Sequence, residues 1–334
     1  MVKITFLAME GNLLSGISGP MDTFSIANLW HQRIHPDASG PLFEMEVVTC
    51  DGRAIKAHGG LSIQPDRSID DVERTDMIFT PPLLPNIYGL PDESDPIMEW
   101  IRDHYRRDAR IGAICTGAFV LAETGLLDEK IATTNWQYAR MFHRRYPKVR
   151  LHPERILTDD TGLICSGAAT ASFNMGLHII EIFGGTELAS ICAKSLLVDP
   201  KRDSQSPYII LDFPRNHGDT DVLQAQSWME ANYAENTPID DIARFVSISP
   251  RHFKRRFKNA TGVSPLSYLQ RVRIEAAKKK LEQTSANMDE ITWQIGYENS
   301  SSFRRLFKKY TGLSPREYRD KFSRPGSWAT ESTV

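Results

Sequence analysis

A cysteine lies at the point where a predicted strand gives way to a predicted helix. In the stretch IGAICTGAFVLAETGLL (111–127) an apolar run ends at Cys115, and Thr116 and Gly117 precede an apolar helix. Hydrolases hold a nucleophile at such a strand-to-helix turn, and the helix N-terminus lowers the pKa of a thiol. A thiolate at this turn could attack a carbonyl carbon or react with an oxidant. The structural alternative, which is the commoner one for a single cysteine, is a buried thiol that packs as a small apolar side chain.

The last hundred residues carry a repeat of basic helices, which indicates a polyanion as the partner. Seven residues recur fifty positions apart. They are Phe253, Phe257, Thr261, Gly262, Ser264, Pro265 and Tyr268, and then Phe303, Phe307, Thr311, Gly312, Ser314, Pro315 and Tyr318. Two similar helices that carry Arg and Lys suit a nucleic acid duplex, whose grooves repeat about every 34 Å.

The charge is divided unevenly along the 334 residues. Residues 1–220 hold 21 Lys or Arg against 29 Asp or Glu, whereas residues 221–325 hold 19 against 12. The formal net charge of -2 therefore conceals an acidic body and a basic C-terminal part. Such a basic part is typical of a domain that binds a polyanion, although a solvated helical surface is also rich in Lys and Arg.

Composition and cysteine usage favour a cytoplasmic protein. The hydrophobic fraction of 41% is ordinary for a globular protein. No run of consecutive apolar residues approaches eighteen, so we expect no transmembrane helix and no membrane partner. The four cysteines lack metal-ligand spacing, which favours free thiols in a reducing compartment over a disulfide framework. We expect neither a bound metal nor a cofactor.

Alternating strands and helices predict an α/β fold for the N-terminal part. The predicted strands are 3–9, 43–50, 76–82 and 110–115, followed by a hairpin of 155–160 and 163–168. The predicted helices are 20–32, 95–108 and 172–185, the last of which is expected to end at a pair of glycines. This order predicts a mostly parallel, doubly wound sheet with helices on both faces.

The C-terminal part is predicted to be all-α and to contain two helix-turn-helix units. In the first unit a helix begins near Pro238, and a second, basic helix follows Ser249-Pro250. A longer helix, 264–284, leads to the second unit, whose basic helix begins near Asn299. The second helix of each unit, called here the reading helix, is predicted to enter the major groove of DNA.

The stretch 225–322 resembles the DNA-binding domain of AraC/XylS-type transcription regulators. Its segment FRRLFKKYTGLSPREY (303–318) is close to a complete match to the signature of that family. The resemblance implies that side chains of both reading helices contact base edges. These residues are Arg251, Lys254 and Arg255 in the first unit, and Ser301, Ser302 and Arg305 in the second.

Residues 3–190 resemble the class I glutamine amidotransferase-like superfamily, in the branch that includes the PfpI-type intracellular peptidases. The resemblance is carried by GPMDTF (19–24), by the turn at Cys115 and by ATTNW (132–136). It implies a flavodoxin-like arrangement of the sheet. Such a domain fused to an AraC-type domain is a known arrangement in bacterial regulators described as GlxA-like.

Two departures from the catalytic members of this superfamily imply that Cys115 is a vestigial nucleophile. The catalytic members place a His directly after the A-T-T motif as the base for the Cys. That position is Asn135 here, and an amide cannot accept a thiol proton at neutral pH. The acidic residue that usually precedes the G-P-x-D motif is replaced by Gly16. The resemblance therefore implies a domain without a catalytic site.

The same superfamily places its cleft at the carboxyl ends of the strands, which implies a pocket for a small molecule. The residues expected to line it are Gly16, Pro82, Cys115, Thr116, Asn135, Trp136 and Ser166. The indole of Trp136 could hold an amine or an amino-acid derivative by a cation–π contact, a ligand class that the resemblance to related regulators favours. A purely structural role for Trp136, as a helix anchor, is an equal alternative.

Together these patterns predict a transcription regulator. We expect an effector-binding and dimerising domain at 1–195, a linker at 196–221, a DNA-binding domain at 222–322 and a tail at 323–334. The expected partners are double-stranded promoter or operator DNA, a small effector, a second copy of the chain and RNA polymerase, with activation as the commoner outcome. Two alternatives remain open: a regulator that senses oxidants through Cys115, and one that retains cysteine hydrolase or amidase activity.

Overall fold

The computed structural model describes residues 1–83, 95–211, 213 and 215–323. The chain divides into two compact units, Met1–Gln205 and Ser206–Val334. This division falls inside the segment 196–221 that the sequence predicts as a linker. Of the predicted tail, only Ser323 belongs to the described residues.

A seven-stranded sheet forms the centre of the first unit. The strands of this unit are β1 (Val2–Leu7), β2 (Phe43–Thr49), β3 (Ile55–Lys56), β4 (Ser62–Ile63), β5 (Arg67–Ser68), β6 (Met77–Thr80), β7 (Arg110–Ile114), β8 (Ile131–Ala132), β9 (Arg150–Leu151), β10 (Leu157–Asp160) and β11 (Leu163–Ser166). Seven of them form one sheet in the order β10-β11-β7-β6-β1-β2-β5. All neighbours in it are parallel except β10 and β11, which form the predicted antiparallel hairpin. The remaining strands pair as β3 with β4 and β8 with β9.

Helices cover both faces of this sheet, which confirms the predicted doubly wound α/β fold. They are α1 (Ser15–Ile34), α2 (Pro96–Arg106), α3 (Gly117–Glu123), α4 (Ala139–Arg145) and α5 (Ala171–Ser195). On one face Ile78 and Ile111 pack in a core with residues of α2, α3 and α4. On the other face Phe6 and Phe79 pack with residues of α1 and α5. Because successive strand residues point to opposite faces and both faces are covered, all of β6, Ile111–Ile114 of β7 and Ile4–Leu7 of β1 are buried.

The paired glycines end the first helical part of α5, as predicted. Gly185 has a φ of 84° and a ψ of 166°, which is not a helical conformation, and a second helical part then runs to Ser195. Leu188 and Cys192 lie beyond Gly185 and are buried, so the second segment returns to the core. The glycine changes the direction of the helix, and the apolar residues after it make continued packing favourable.

Helix α5 is also the one helix in the described ranges that is long and apolar enough to cross a membrane by length and composition. A count of consecutive apolar residues does not detect this property, because polar residues interrupt the run. Its Met175, Ile179 and Ile180 are fully buried in the core that α5 shares with α1. The packing therefore accounts for the apolar residues on the buried side of α5.

The second unit is all-α, as predicted, and contains both helix-turn-helix pairs. Its helices are α6 (Thr220–Ala231), α7 (Ile239–Phe245), α8 (Pro250–Thr261), α9 (Pro265–Gln283), α10 (Met288–Gln294), α11 (Ser300–Thr311) and α12 (Pro315–Phe322). The first pair is α7 and α8, the second is α10 and α11, and α9 connects them. Gly262 and Gly312 end the reading helices α8 and α11 in the left-handed conformation, with φ of 80° and 75°. The repeated glycines are thus required by the backbone at these two turns.

The repeated aromatic residues build one small core in each copy. Phe257 and Tyr268 meet edge to face in the first copy, with ring centroids 5.2 Å apart. Phe307 and Tyr318 make the same contact in the second copy at 5.3 Å. The fifty-residue repeat of the sequence is therefore a repeat of packing.

Each of these tyrosines also ties its copy to the helix before the pair. The hydroxyl of Tyr268 donates to Glu230 on α6, and the hydroxyl of Tyr318 donates to Glu282 on α9. Helix α9 consequently belongs to both copies. Its first part packs in the core with α7 and α8, and its second part packs in the core with α10 and α11. A change in the position of α9 must affect both copies.

The turn inside each helix-turn-helix pair contains a residue in the left-handed region. That residue is Ser247 in the first copy, with φ of 55°, and Gly296 in the second, with φ of 81°. A side chain in this region costs about 1–2 kcal/mol. A Cβ atom on Gly296 would in addition lie 2.6 Å from the carbonyl oxygen of Ala234. The first copy has room for a side chain at this turn, and the second copy does not.

We expect Gly296→Ala to destabilise the second unit by roughly 2 kcal/mol, because it adds backbone strain and a contact with the Ala234 carbonyl. Urea unfolding of the full chain, followed by circular dichroism at a helix wavelength, measures this loss. The matched control is Ser247→Ala at the equivalent turn, which already has a Cβ atom and should change stability by less than about 0.5 kcal/mol. Equal effects of the two substitutions would contradict the difference in space at the two turns.

Candidate DNA interface and effector site

The two reading helices expose equivalent surfaces. From 251 to 260 and from 301 to 310, exposed, half-buried and buried residues follow each other in the same order. Residues expected to contact bases are exposed in both copies, namely Arg251, Lys254, Arg255, Ser301, Ser302 and Arg305. The buried phenylalanines hold the opposite side of each helix in the core. The structure thus brings the predicted readers to the surface as two groups of three.

One of the residues predicted to contact bases, Lys254, forms an ion pair with the first helix of its pair. The Nζ atom of Lys254 lies 2.8 Å from Oδ1 of Asp240 on α7. Both side chains are about half exposed, at 53% and 52%. Exposed pairs of this kind contribute little to stability, so exchange of the carboxylate for a DNA phosphate costs little.

Arg256, directly after the predicted reader Arg255, is held inside the unit. Its Nε and Nη2 atoms lie 2.9 Å and 2.6 Å from the two carboxylate oxygens of Asp219, and Nη1 lies 2.9 Å from Asp221. The hydrogen bond from Arg256 is the main cause that lowers the pKa of Asp219. This bidentate pair ties α8 to the first turn of α6. The equivalent residue of the second copy is Leu306, which packs against the apolar core there.

Three serines begin α11, and they differ in their contacts: Ser300 bonds to a neighbouring helix, whereas the side chains of Ser301 and Ser302 are exposed. Asn299 caps the helix, because its Oδ1 accepts from the backbone N–H of Ser302 at 3.0 Å. The hydroxyl of Ser300 donates to Asp289 on α10 at 2.6 Å. Ser301 and Ser302 are left with exposed hydroxyl side chains at the helix N-terminus, where phosphate or base edges can approach.

Cys115 adopts the sharp strand-to-helix turn that the sequence predicts. Its φ is 56°, a left-handed value that is strained for a residue with a side chain. The backbone N–H of Cys115 donates to the carbonyl of Ser166 at 2.8 Å, and its carbonyl accepts from the hydroxyl of Thr134 at 2.9 Å. The turn is therefore fixed from β11 and from the segment after β8.

The thiol of Cys115 is buried rather than presented to solvent. The residue is 2% exposed. Burial raises the pKa of the thiol, while hydrogen bonds from Asn135 and Thr116 act in the opposite direction without reversing the shift. At neutral pH the sulfur is consequently protonated, which is the opposite of an activated nucleophile.

Asn135 reaches the thiol but cannot serve as its base. Its Oδ1 accepts from the backbone N–H of Gln137 at 2.9 Å and so caps the turn Trp136–Tyr138. The amide group also makes the hydrogen bond to Cys115 that lowers the thiol pKa. Trp136 directly follows Asn135 in the chain and is half-buried.

Pro82 fills the space that a side chain at position 16 would need, where the catalytic members of the superfamily have an acidic residue. A Cβ atom built on Gly16 would lie 2.1 Å from Cδ of Pro82. The backbone N–H of Leu13 donates to the carbonyl of Pro82 at 2.9 Å, which holds the proline in this place. No side chain, acidic or otherwise, can occupy position 16 without moving Pro82.

Thr116 connects the Cys115 turn to the backbone at Leu83. Its Oγ1 both donates to the carbonyl of Leu83 and accepts from the N–H of Leu83, each at 2.9 Å. Leu83 in turn forms an isolated antiparallel bridge with Asn12. The segment 84–94, which follows Leu83, lies outside the described residues.

Three buried polar residues have side-chain atoms without a partner, and the sequence identified only one of them. Asn12, Ser166 and Ser172 are completely buried, and Asn12 Nδ2 and the two serine hydroxyls have no hydrogen-bond partner among the described residues. Ser166 was expected in the pocket, whereas Asn12 and Ser172 were not. A buried polar atom without a partner is costly unless a ligand or a water molecule satisfies it. Only the tertiary contacts reveal these residues, because nothing in their local sequence distinguishes them.

The site offers polar contacts but not acid–base chemistry. The hydrogen-bond partners that influence the thiol are Asn135, Thr116 and the backbone at Ala169, none of which titrates near neutral pH. Within the described ranges no group of three or more His, Cys, Asp or Glu residues could hold a metal ion. The described partners of the thiol therefore offer hydrogen bonds but no group that could take its proton at neutral pH.

Both parts of the chain are similar to known proteins. The sequence profile of the DJ-1/PfpI family matches residues 2–182, and that of a helix-turn-helix domain matches residues 242–321. The HTH-type transcriptional regulator GbdR of Pseudomonas aeruginosa is 25% identical over 324 residues, which cover 95% of this chain and 84% of the relative. The HTH-type transcriptional regulator ArgR of the same species is 30% identical over 229 residues, which cover 68% of this chain and 69% of the relative.

A solved structure supports the fold of the first part. The crystal structure of a putative transcriptional regulator protein from Vibrio parahaemolyticus is 24% identical and matches with a TM-score of 0.52 over 58% of this chain and 98% of that chain. The DJ-1/PfpI profile spans more than half of the chain, and the relatives that cover most of it are transcription regulators. The chain thus belongs to the DJ-1/PfpI family, and within it to the HTH-type transcriptional regulators that join such a domain to an AraC-type helix-turn-helix domain.

Proposed function

We propose that α8 and α11 read bases in two consecutive major grooves on one side of an operator duplex. The observation that carries this proposal is the identical order of exposed and buried residues in the two helices. Arg251, Lys254 and Arg255 would contact one half-site, and Ser301, Ser302 and Arg305 the other. Arginine pairs with guanine through two hydrogen bonds, so we expect Arg255 and Arg305 to contribute most to base preference.

The edge around Cys115 is proposed as the effector site, without catalytic activity. Three observations support a role in recognition: the raised pKa of the thiol, the amide at position 135, and Pro82 in the space of the missing acid. The unpartnered atoms of Asn12, Ser166 and Ser172 offer hydrogen bonds that a ligand can complete. Gly16, Pro82, Thr116 and Trp136 would form the remaining walls.

The effector is proposed to be a small amine or an amino-acid derivative. The half-buried indole of Trp136 can face a cationic nitrogen. The neutral donors of Asn12 and the two serines can bind a carboxylate or a hydroxyl at the other end of the same molecule. A ligand with both groups would use the whole edge.

We assign effector binding and dimerisation to residues 1–195 and DNA binding to residues 222–322, in a cytoplasmic protein. A dimer presents two pairs of reading helices, and the effector would change how these pairs are disposed. Transcription activation with contacts to RNA polymerase is the outcome that we expect for such a regulator.

Arg255→Ala and Arg305→Ala should each weaken operator binding by about 1–3 kcal/mol and relax the preference at one base pair. Fluorescence anisotropy measures this at fixed salt with a duplex selected by the full chain from a random-sequence pool. Arg244→Ala is the matched control, because it removes an exposed arginine that pairs with Asp241 on the scaffold helix α7. If Arg255→Ala bound and discriminated as the wild type does, α8 would not be a reading helix.

Thermal unfolding of the full chain should reveal the effector class. The panel contains putrescine, glycine, L-arginine and their N-trimethylated derivatives. A compound present at a hundred times its dissociation constant adds about 2.7 kcal/mol to the stability of the unit that binds it. Trp136→Ala should abolish the shift, whereas Trp293→Ala, at an exposed tryptophan of the second unit, should preserve it. A shift that survives Trp136→Ala would place the ligand elsewhere.

The buried thiol gives a pH prediction that separates recognition from an oxidant-sensing or hydrolytic role. Because the pKa of Cys115 is raised, the thiol stays protonated through neutral pH, and alkylation by iodoacetamide should increase only above the ordinary value of about 8.5. Mass spectrometry of the Cys115 peptide against pH measures this profile. Asn135→Ala should move it still higher, because the hydrogen bond from Asn135 favours the thiolate. Rapid labelling at pH 7 would favour the reactive-thiol alternatives.

A further inference from the structure

Gln205, the last residue of the first unit, is built into that unit by its backbone and its side chain. The segment 203–205 lies along 154–156. The N–H of Gln205 donates to the backbone carbonyl of Glu154 at 2.7 Å, and the N–H of Ile156 donates to the backbone carbonyl of Asp203 at 2.9 Å. Gln205 is only 2% exposed. Within one residue the chain passes into the second unit, which begins at Ser206.

The amide nitrogen of Gln205 occupies a cradle of backbone carbonyls. Nε2 lies 2.9 Å from the carbonyl oxygens of Thr134 and Arg155, and 3.0 Å from that of Pro153. Carbonyl oxygens only accept hydrogen bonds, so the cradle requires a donor. A Cβ atom on Gly167 would lie 2.1 Å from Nε2, so the glycine is what leaves room for the side chain.

This cradle shares a residue with the effector site. Thr134 accepts from Gln205 through its carbonyl, and its hydroxyl donates to the carbonyl of Cys115 at 2.9 Å. The next residue, Asn135, makes the hydrogen bond to the thiol and caps the turn that starts at Trp136. A molecule that displaces Asn135 therefore acts on the residue directly after an acceptor of Gln205.

The chain after Gln205 also forms hydrogen bonds within the second unit, at Ile209 and Leu211. The Nζ atom of Lys278, a residue of α9 that is 4% exposed, donates to the carbonyl of Ile209 at 2.6 Å. Glu275, also on α9, binds Lys278 at 2.8 Å and accepts from the N–H of Leu211 at 3.2 Å. Because α9 belongs to both helix-turn-helix copies, a displacement of this segment acts on both reading helices.

We propose that Gln205 is the positioning residue through which occupancy of the Cys115 edge reaches the DNA-binding unit. This inference rests on the proposed effector site. Only three residues, Ser206–Tyr208, separate Gln205 from Ile209, and they form a single 3-10 turn, so the connection is short and ordered. Movement of the 134–136 segment shifts or releases Gln205, and the fastened chain beyond it passes the change to α9.

The test measures, in the full chain, binding of the panel compound that gives the largest thermal shift and its effect on operator affinity. In the wild type that compound should change the dissociation constant for the selected duplex by about fivefold or more. In Gln205→Ala, which empties the cradle, the compound should bind with an unchanged midpoint while the change in DNA affinity falls below about twofold. A purely structural role would instead weaken both binding reactions together.

Two further variants keep the outcome unambiguous. Gly167→Ala expels Gln205 by the contact described above and should uncouple the two sites in the same way, even though Gln205 remains in the sequence. Ser204→Ala removes a hydroxyl that donates to the backbone carbonyl of Glu154 but leaves the contacts of Gln205 intact. This variant should therefore retain the effect of the compound on DNA affinity. A full response in both Gln205→Ala and Gly167→Ala would overturn the proposal.

A second arm does not depend on an effector, so failure of the proposed site and failure of this inference are distinguishable. Coupling is reciprocal, so binding of the selected duplex should alter hydrogen exchange at residues 131–137 of the wild type. In Gln205→Ala the duplex should bind without that change. If no panel compound bound but this arm succeeded, the effector class would be wrong and the role of Gln205 would stand. An unchanged exchange rate in the DNA-bound wild type would contradict the role of Gln205.

Discussion

Burial of two phenylalanines on one side of each reading helix is the constraint on which the DNA-binding unit depends. Phe253 and Phe257 are four residues apart, so they lie on one face of α8 and enter the core together. Once that face is fixed, the helical period decides which residues reach solvent. Arg251 and Arg255 are exposed for this reason, and within the described part of the chain no hydrogen bond or ion pair holds their side chains. The core therefore sets the interface, which explains why the aromatic residues recur more faithfully than the basic ones.

The same dependence on local periodicity explains which parts of the fold the sequence predicts well. The strand at 110–115 and the helix after Ser249 each follow from residues within a few positions of one another, and both lie in the structure at the expected places. The helix after Gly185 does not follow in this way. The glycine interrupts α5 as predicted, but the second helical part depends on burial of Leu188 and Cys192 in a core made by distant residues.

The proposed effector site shows a similar limit. Cys115 and Asn135 are recognisable from motifs, whereas Asn12, Ser172 and Gln205 become visible only where the chain folds back. Gly16 lies between these cases. The resemblance identifies the loss of an acid there, but only the contact with Pro82 reveals that the space itself has been closed. A single back-substitution to an acid would meet the proline ring rather than restore a catalytic group, so the loss of the acid is now a property of the packing.

Two neighbouring arginines demonstrate how far a residue type alone leaves its role undecided. Arg255 and Arg256 are adjacent on α8, yet the helix turns by about 100° between them. Arg256 consequently faces α6, where two carboxylates hold it, and it is 29% exposed. Arg255 faces solvent. In the second copy the pair is Arg305 and Leu306, and the apolar partner performs the anchoring by burial alone. The repeat thus keeps the exposed arginine and replaces the anchored one, which is the result expected if the exposed position serves DNA and the other serves only the fold.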